Sequence, residues 1–136
     1  MQWEAGPNAG FTRAGATPWL PVLEGSDEIN VASLAKDPNS LWHTNQSLLR
    51  IRKESPSLKW GSLRWLPEFD GGDILGYERI YHDQSLRILI NISEETEQVE
   101  VSGNWAVLFS SGPATLEGGI LKLPPNTGVI LKKPSN

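Results

Sequence analysis

The sequence contains no cysteine. It therefore has no disulfide framework and no thiolate metal site, and a reducing, cytoplasmic setting is expected. Positive charge is also scarce: 12 Lys and Arg stand against 16 Asp and Glu, a formal net charge of −4. A nucleic-acid partner needs clustered cations to displace counterions, and the densest basic group is only Arg50, Arg52 and Lys53. No apolar run approaches the ~20 residues of a membrane span, and the N-terminus lacks the basic-then-apolar order of a signal peptide. No membrane partner is expected either. Histidine is limited to His43 and His82, without the HExxH spacing of a zinc helix. The glycine pairs Gly71-Gly72 and Gly118-Gly119 lack the GK[ST] or GxGxxG context of a phosphate loop, so they read as tight turns. No cofactor and no metal site is expected. With 136 residues, the chain is too short for a (β/α)8 barrel, which takes roughly 250.

What the chain has in quantity is turn chemistry. Thirteen Gly and 10 Pro imply short elements and point to a mainly β fold. Residues 1–36 show no sustained period and carry turn signals at Gly6-Pro7, Asn8 to Gly10, Gly15, Pro18, Pro21 and Gly25-Ser26. So long an irregular stretch marks a functional or displaced loop. Asp37-Pro38 then reads as an N-cap followed by proline at the first helical position. Leu41, Trp42, Leu48, Leu49 and Arg52 recur at helical spacing, and Pro56 closes the run after Lys53 and Glu54. A helix of that length is marginal alone, so its apolar side needs a surface to pack on.

From Leu58 onward the period changes to two. Seven strands are expected, over 63–66, 74–81, 85–92, 99–101, 105–109, 119–123 and 128–131, separated by turn clusters such as Asp70 to Gly72 and Ser110 to Gly112. Seven short strands imply an antiparallel β-sandwich. Leu86, Ile88, Ile90 and Ile92 share one face of their strand, and Leu89 makes the other face partly apolar, as in a central strand. Val99 and Val101 alternate with Gln98 and Glu100, as in an edge or one-sided strand. The expected organisation is two parts: 1–57, a loop and one helix, and 58–136, the sandwich.

Met1, Gln2, Trp3, Asn8, Ala9, Gly10, Phe11, Pro18, Trp19, Leu20 and Pro21 closely resemble the segment after the eighth barrel strand in α-glucosidases of glycoside hydrolase family 13, the α-amylase family. The helix NQSLLRIRKESPSLKWG and the runs GSLRWL, ILGYERIY and LRILINIS resemble the last barrel helix and the C-terminal domain of the same family, so the likeness covers nearly the whole chain. It implies a C-terminal portion of an oligo-1,6-glucosidase or α-glucosidase, whose parent hydrolyses α-1,4 or α-1,6 glucosidic bonds of short oligosaccharides with retention. Retention takes a carboxylate nucleophile and a carboxylic acid about 5 Å apart. In the family these groups follow the fourth, fifth and seventh barrel strands, upstream of the MQW segment, so the resemblance implies no catalytic residue in this chain.

The resemblance further implies that Gln2, Trp3, Glu4 and Phe11 belong to the rim of the parent's active site, Glu4 standing where the family has Asp. Its partners would be the missing barrel and, in the parent, the oligosaccharide. Without a barrel, Trp3, Phe11, Trp19, Leu41 and Leu48 would lack their usual partner, and a homo-oligomer through that surface is expected. His82-Asp83 mimics the family's His-Asp pair but falls between two expected antiparallel strands, where a turn is the better reading. Six tryptophans raise a second function: a stand-alone glucan-binding sandwich that uses Trp60, Trp65 or Trp105 as sugar-stacking faces. Scattered as they are over helix and strands, packing is the competing role. Asn45-Gln46-Ser47 and Asn91-Ile92-Ser93 match the glycosylation acceptor pattern, too short to weigh much.

Overall fold

A computed structural model describes residues 1–134. The chain divides into two compact units, Met1–Ile51 and Arg52–Asn136. That division lies six residues before the one expected at 57/58.

The first unit is held by backbone and amide hydrogen bonds. Gln2 and Trp3 form an extended entry whose carbonyls accept the N–H groups of Val31 and Ala32, at 3.0 Å each. These are the first donors of α1 (Val31–Leu34), which a helix cannot satisfy internally. Asn30 caps the same helix: its Oδ1 accepts from Ser33 N at 2.9 Å, while its Nδ2 donates to Ser26 O and Asp27 O. Asn30, Ser40 and Ala9 are the buried residues of this unit, and Ala9 is its one buried hydrophobic side chain.

Helix α2 runs Leu41–Glu54 and buries none of its residues. It starts three residues later than an Asp37 cap would have it. The Asp37 carboxylate instead accepts from Asn39 N at 2.9 Å, closing an Asx turn before the helix, and Ser40 supplies the first helical carbonyl, to Thr44 N. At the other end Pro56 does more than stop α2: with Ser55 as N-cap it opens a separate short helix, α3 (Pro56–Trp60).

The second unit is a two-sheet antiparallel sandwich. Its eight strands are β1 (Ser62–Trp65), β2 (Ile74–Tyr81), β3 (Gln84–Asn91), β4 (Glu97–Glu100), β5 (Ala106–Ser110), β6 (Thr115–Glu117), β7 (Ile120–Leu123) and β8 (Gly128–Lys132). One sheet has the order β1-β2-β3-β8-β5 and the other β4-β7-β6. All seven expected strands are present; β6 is the addition. Three residues long, it is too short to show a period, and it pairs with β7 through the two-residue turn Gly118-Gly119, both with positive φ.

β3 is central, as its two apolar faces require, and β4 is an edge. The face of β3 that meets the second sheet is the one carrying Leu89, the less apolar in sequence. Leu89, Val129 and Leu131 from the large sheet interlock with Val99, Leu121 and Leu123 from the small one, closed at the ends by Leu66, Ile74, Val101, Phe69 and Trp105. Leu86, Ile88 and Ile130 are buried on the opposite face, outside that cluster. Fully buried Asn91 ties the sheets at one end. Its Nδ2 donates to Glu95 O, Leu123 O and Pro124 O, and its Oδ1 accepts from the N–H and hydroxyl of Ser93. No helix among the described residues is long and apolar enough to cross a membrane.

Candidate functional site

Gln2, Trp3, Glu4 and Phe11 lie around one turn of the first unit. Trp3 N donates to Ala9 O at 2.9 Å and Phe11 N to Asn8 O at 2.9 Å, so the turn is pinned on both flanks. Asn8 holds it from within, its amide donating to Thr12 Oγ1 (2.8 Å), Ala16 O (2.8 Å) and Arg13 O (3.3 Å). Three successive residues, Asn8, Ala9 and Gly10, have φ of 61°, 46° and 73°. For Ala9 this is costly, and its burial shows why a bigger residue would not serve. Strained backbone of this kind is maintained where a side chain must be held in one place.

What it holds is a half-exposed Trp3 and Phe11, with Glu4 exposed and Gln2 partly covered. The Gly10 position lies against Trp3 Cβ and Glu4 Cγ, leaving almost no room for a side chain there. Gln2 and Phe11 face a trough of about 580 Å³ that they share with Thr12, Pro18, Trp19 and Leu23. Trp3 and Glu4 are outside it. The sequence therefore groups four residues that the structure arranges as two pairs around one turn. Trp19 joins the trough and is 95% exposed.

The three sandwich tryptophans are in different surroundings. Trp60, on α3, is 65% exposed, with Lys59 Nζ 4.4 Å from its ring centroid and Tyr81 at 6.1 Å. Trp65, on edge strand β1, is 59% exposed and meets Tyr77 edge-on at 5.7 Å. Trp105 is half-buried beside the core, with Arg87 4.8 Å and Lys133 5.4 Å from its centroid. Trp105 thus stands apart from the Trp60–Tyr81 and Trp65–Tyr77 pairs. His82 and Asp83 form the two-residue turn between β2 and β3, His82 with φ of 52° and its ring 4.3 Å from Tyr81.

Residues that the sequence reading did not single out form a second polar group. Arg64, Glu78 and Arg87 are direct cross-strand neighbours on β1, β2 and β3. Glu78 is buried, and Arg87 clasps its Oε1 through Nε (3.0 Å) and Nη2 (2.7 Å) while Arg64 Nη2 donates to Oε2. Burial pushes the Glu78 carboxyl up; the two guanidinium groups outweigh it and hold it below the ordinary carboxylate range. The signal was one charge on each of three period-two strands, readable as a row only once the register is known.

With this geometry in hand, comparison with known proteins is direct. The family model for the α-amylase catalytic domain matches residues 1–61, and that for a domain of unknown function, DUF3459, matches residues 61–130. The chain is 38% identical over 96 residues to an oligo-1,6-glucosidase of Parageobacillus thermoglucosidasius, covering 71% of this chain and 16% of that protein. It is 32% identical over 113 residues to a trehalose-6-phosphate hydrolase of Escherichia coli strain K12, covering 80% of this chain and 20% of that protein. Among solved structures, a trehalulose synthase from Pseudomonas mesoacidophila MX-45 superposes with a TM-score of 0.85 at 30% identity, over 96% of this chain and 24% of that one. The chain thus spans about a fifth of the length of the curated relatives it matches. Residues 1–61 match the catalytic-domain model and residues 61–130 the DUF3459 model, and relatives and solved structures of the same family agree along the chain: it belongs to glycoside hydrolase family 13, the α-amylase family.

Proposed function

We propose that this chain acts within an α-glucosidase-like hydrolase of α-1,4 or α-1,6 glucosidic bonds in short oligosaccharides, and that it is inert by itself. In this reading the Gln2–Phe11 turn contributes to the rim of the active site, and the sandwich is a structural accessory domain. The observation that carries it is the imbalance of the first unit. That unit buries a single hydrophobic side chain, Ala9, yet exposes Trp19, Leu20, Leu23, Ile29, Leu41 and Leu49 each by at least 65%. Such a segment has no core of its own and needs an apolar surface supplied from outside it. The rest of a family barrel is such a surface, and the names of the relatives supply the substrate class. A cytoplasmic location belongs to the same proposal.

The test has two arms. Purified chain is assayed with p-nitrophenyl α-glucoside, where no hydrolysis above the buffer blank is expected. It is then mixed with a family barrel cut at the residue aligned with Met1, where activity should return. Hydrolysis by the chain alone, or no recovery with a barrel that demonstrably binds it, would overturn the proposal.

A further inference from the structure

The row Arg64, Glu78, Arg87 opens into a cavity of about 410 Å³, which Trp105, Asn104 and Lys133 complete. Both ion pairs found among the described residues belong to this row, and both use Glu78. One Arg would satisfy a buried carboxylate. Here two guanidinium groups bind it and a third cation, Lys133, lines the same cavity, so the lining carries two positive charges beyond the one carboxylate, in a chain whose formal net charge is −4.

The donors are not exhausted by Glu78. Arg87 spends Nε and Nη2 on the carboxylate, and its Nη1 is left. Arg64 spends one Nη on it and keeps a 62% exposed side chain. Lys133 Nζ rests near the Trp105 ring and makes no ion pair among the described residues. The ring is itself fixed, because Trp105 Nε1 donates to Ser102 O at 3.1 Å. Arg87, only 14% exposed, is held between Glu78 and this ring, so its guanidinium is fixed in place before any ligand arrives.

From this convergence we propose that the cavity is a binding site for a tetrahedral oxyanion of about two negative charges, a phosphate or a phosphate monoester. Glu78 is then the strut that sets the guanidinium forks, and Arg64, Arg87 and Lys133 are the ligand's contacts. Arginine forks match the oxygen spacing of phosphate, and such charge-assisted bonds are the strong ones. A bare sugar hydroxyl would gain little from two surplus cations. The site is remote in kind from glycoside chemistry, and the proposal does not depend on the glycosidase reading.

The test is titration of the full chain with inorganic phosphate, glucose 6-phosphate and acetate against sodium chloride at matched ionic strength. Binding is followed by calorimetry and by tryptophan fluorescence. Saturable phosphate binding is expected well below about 50 mM, a range that would saturate any site of millimolar affinity. Lys133→Gln and Arg64→Gln should each weaken it about tenfold, the loss of one charge-assisted contact. Both leave the Glu78–Arg87 pair in place, and an unchanged melting temperature would show that they fold. Trp105→Phe should abolish the fluorescence change while calorimetric binding persists. Tighter binding of the sugar phosphate would assign the ligand as a monoester, and equal binding would assign it as phosphate itself. Absence of a saturable response, an equal response to acetate or chloride, or unchanged affinity in both charge variants would overturn the proposal.

Discussion

Replacing Asn91 by Ala removes the residue on which the two sheets converge, and the cost follows from its bonds. Its amide nitrogen serves three carbonyls, at 2.7 Å to Glu95, 3.0 Å to Leu123 and 3.1 Å to Pro124, and its oxygen accepts twice from Ser93 at 2.9 Å. Two amide hydrogens shared over three carbonyls make two full bonds, and with the two that the oxygen accepts about four are lost, at about 1 kcal/mol each. Stranding the Leu123 carbonyl in the interior adds about 1–3 kcal/mol more. A loss of about 5–7 kcal/mol is expected, against a total stability of about 5–15 kcal/mol for a domain.

Asn91→Asp sharpens the test, because a carboxylate would face the same three carbonyl oxygens with no donor. Its folded pKa must rise above the unfolded Asp value of about 3.9, since only the acid form can donate there. A raised carboxyl pKa makes the folded state bind more protons. The penalty is therefore full above the folded pKa and vanishes below the unfolded one, and acidification should narrow the gap to wild type. Urea unfolding of the three proteins, followed by circular dichroism at neutral and mildly acidic pH, measures both effects. A loss under about 1 kcal/mol in Asn91→Ala, or a gap that widens for Asn91→Asp on acidification, would refute the bond count.

Glu78→Ala should cost about 3–5 kcal/mol by leaving the largely buried Arg87 unpaired, whereas Arg64→Ala, at a 62% exposed partner, should cost under about 1 kcal/mol. Because the folded Glu78 pKa is depressed, its contribution is present above the unfolded value and lost as pH falls through the folded one; the stability gap to Glu78→Gln should shrink on acidification. Gly61→Ala should destabilise by about 1–3 kcal/mol in thermal or urea melts, since a Cβ there would collide with the Ser57 and Ile80 carbonyl oxygens. We propose that the isolated chain self-associates through the apolar surface of its first unit: light scattering at high micromolar concentration should show an oligomer, and Trp19→Ser should weaken it. A monomer throughout that range would end the idea. In a secretory host any glycan should sit on exposed Asn45, and peptide mapping should find Asn91, fully buried with its amide in use, unmodified.

The sandwich was legible because its determinants are local. Period-two alternation needs no knowledge of the partner strand, so β2, β3 and β8 were bounded within a residue or two, and Val99 announced a one-sided edge. What failed to show is what depends on pairing. β6 spans only Thr115–Glu117 and acquires its identity from β7 across Gly118-Gly119. Likewise Arg64, Glu78 and Arg87 are three unremarkable charges until the register sets them side by side. The Asp37-Pro38 start misled for a similar reason, since an Asx turn and an N-cap use the same carboxylate and differ only in which N–H it meets.

The first unit tests a different limit. Its residues looked irregular because apolar periodicity is the trace of a surface a segment buries within its own chain. Here the stabilising bonds are amide-to-carbonyl ones from Asn8 and Asn30, while its large apolar side chains stay in solvent. Asparagine that fixes a turn leaves no periodic signal, and neither does a tryptophan whose complement lies elsewhere. The motif could therefore be recognised by likeness long before it could be derived by pattern. The strained run Asn8, Ala9, Gly10 adds to this: a chain gains nothing for its own stability from a buried alanine at φ of 46°. Under the proposed rim role, that cost is what keeps Trp3 and Phe11 in place for a surface that meets them.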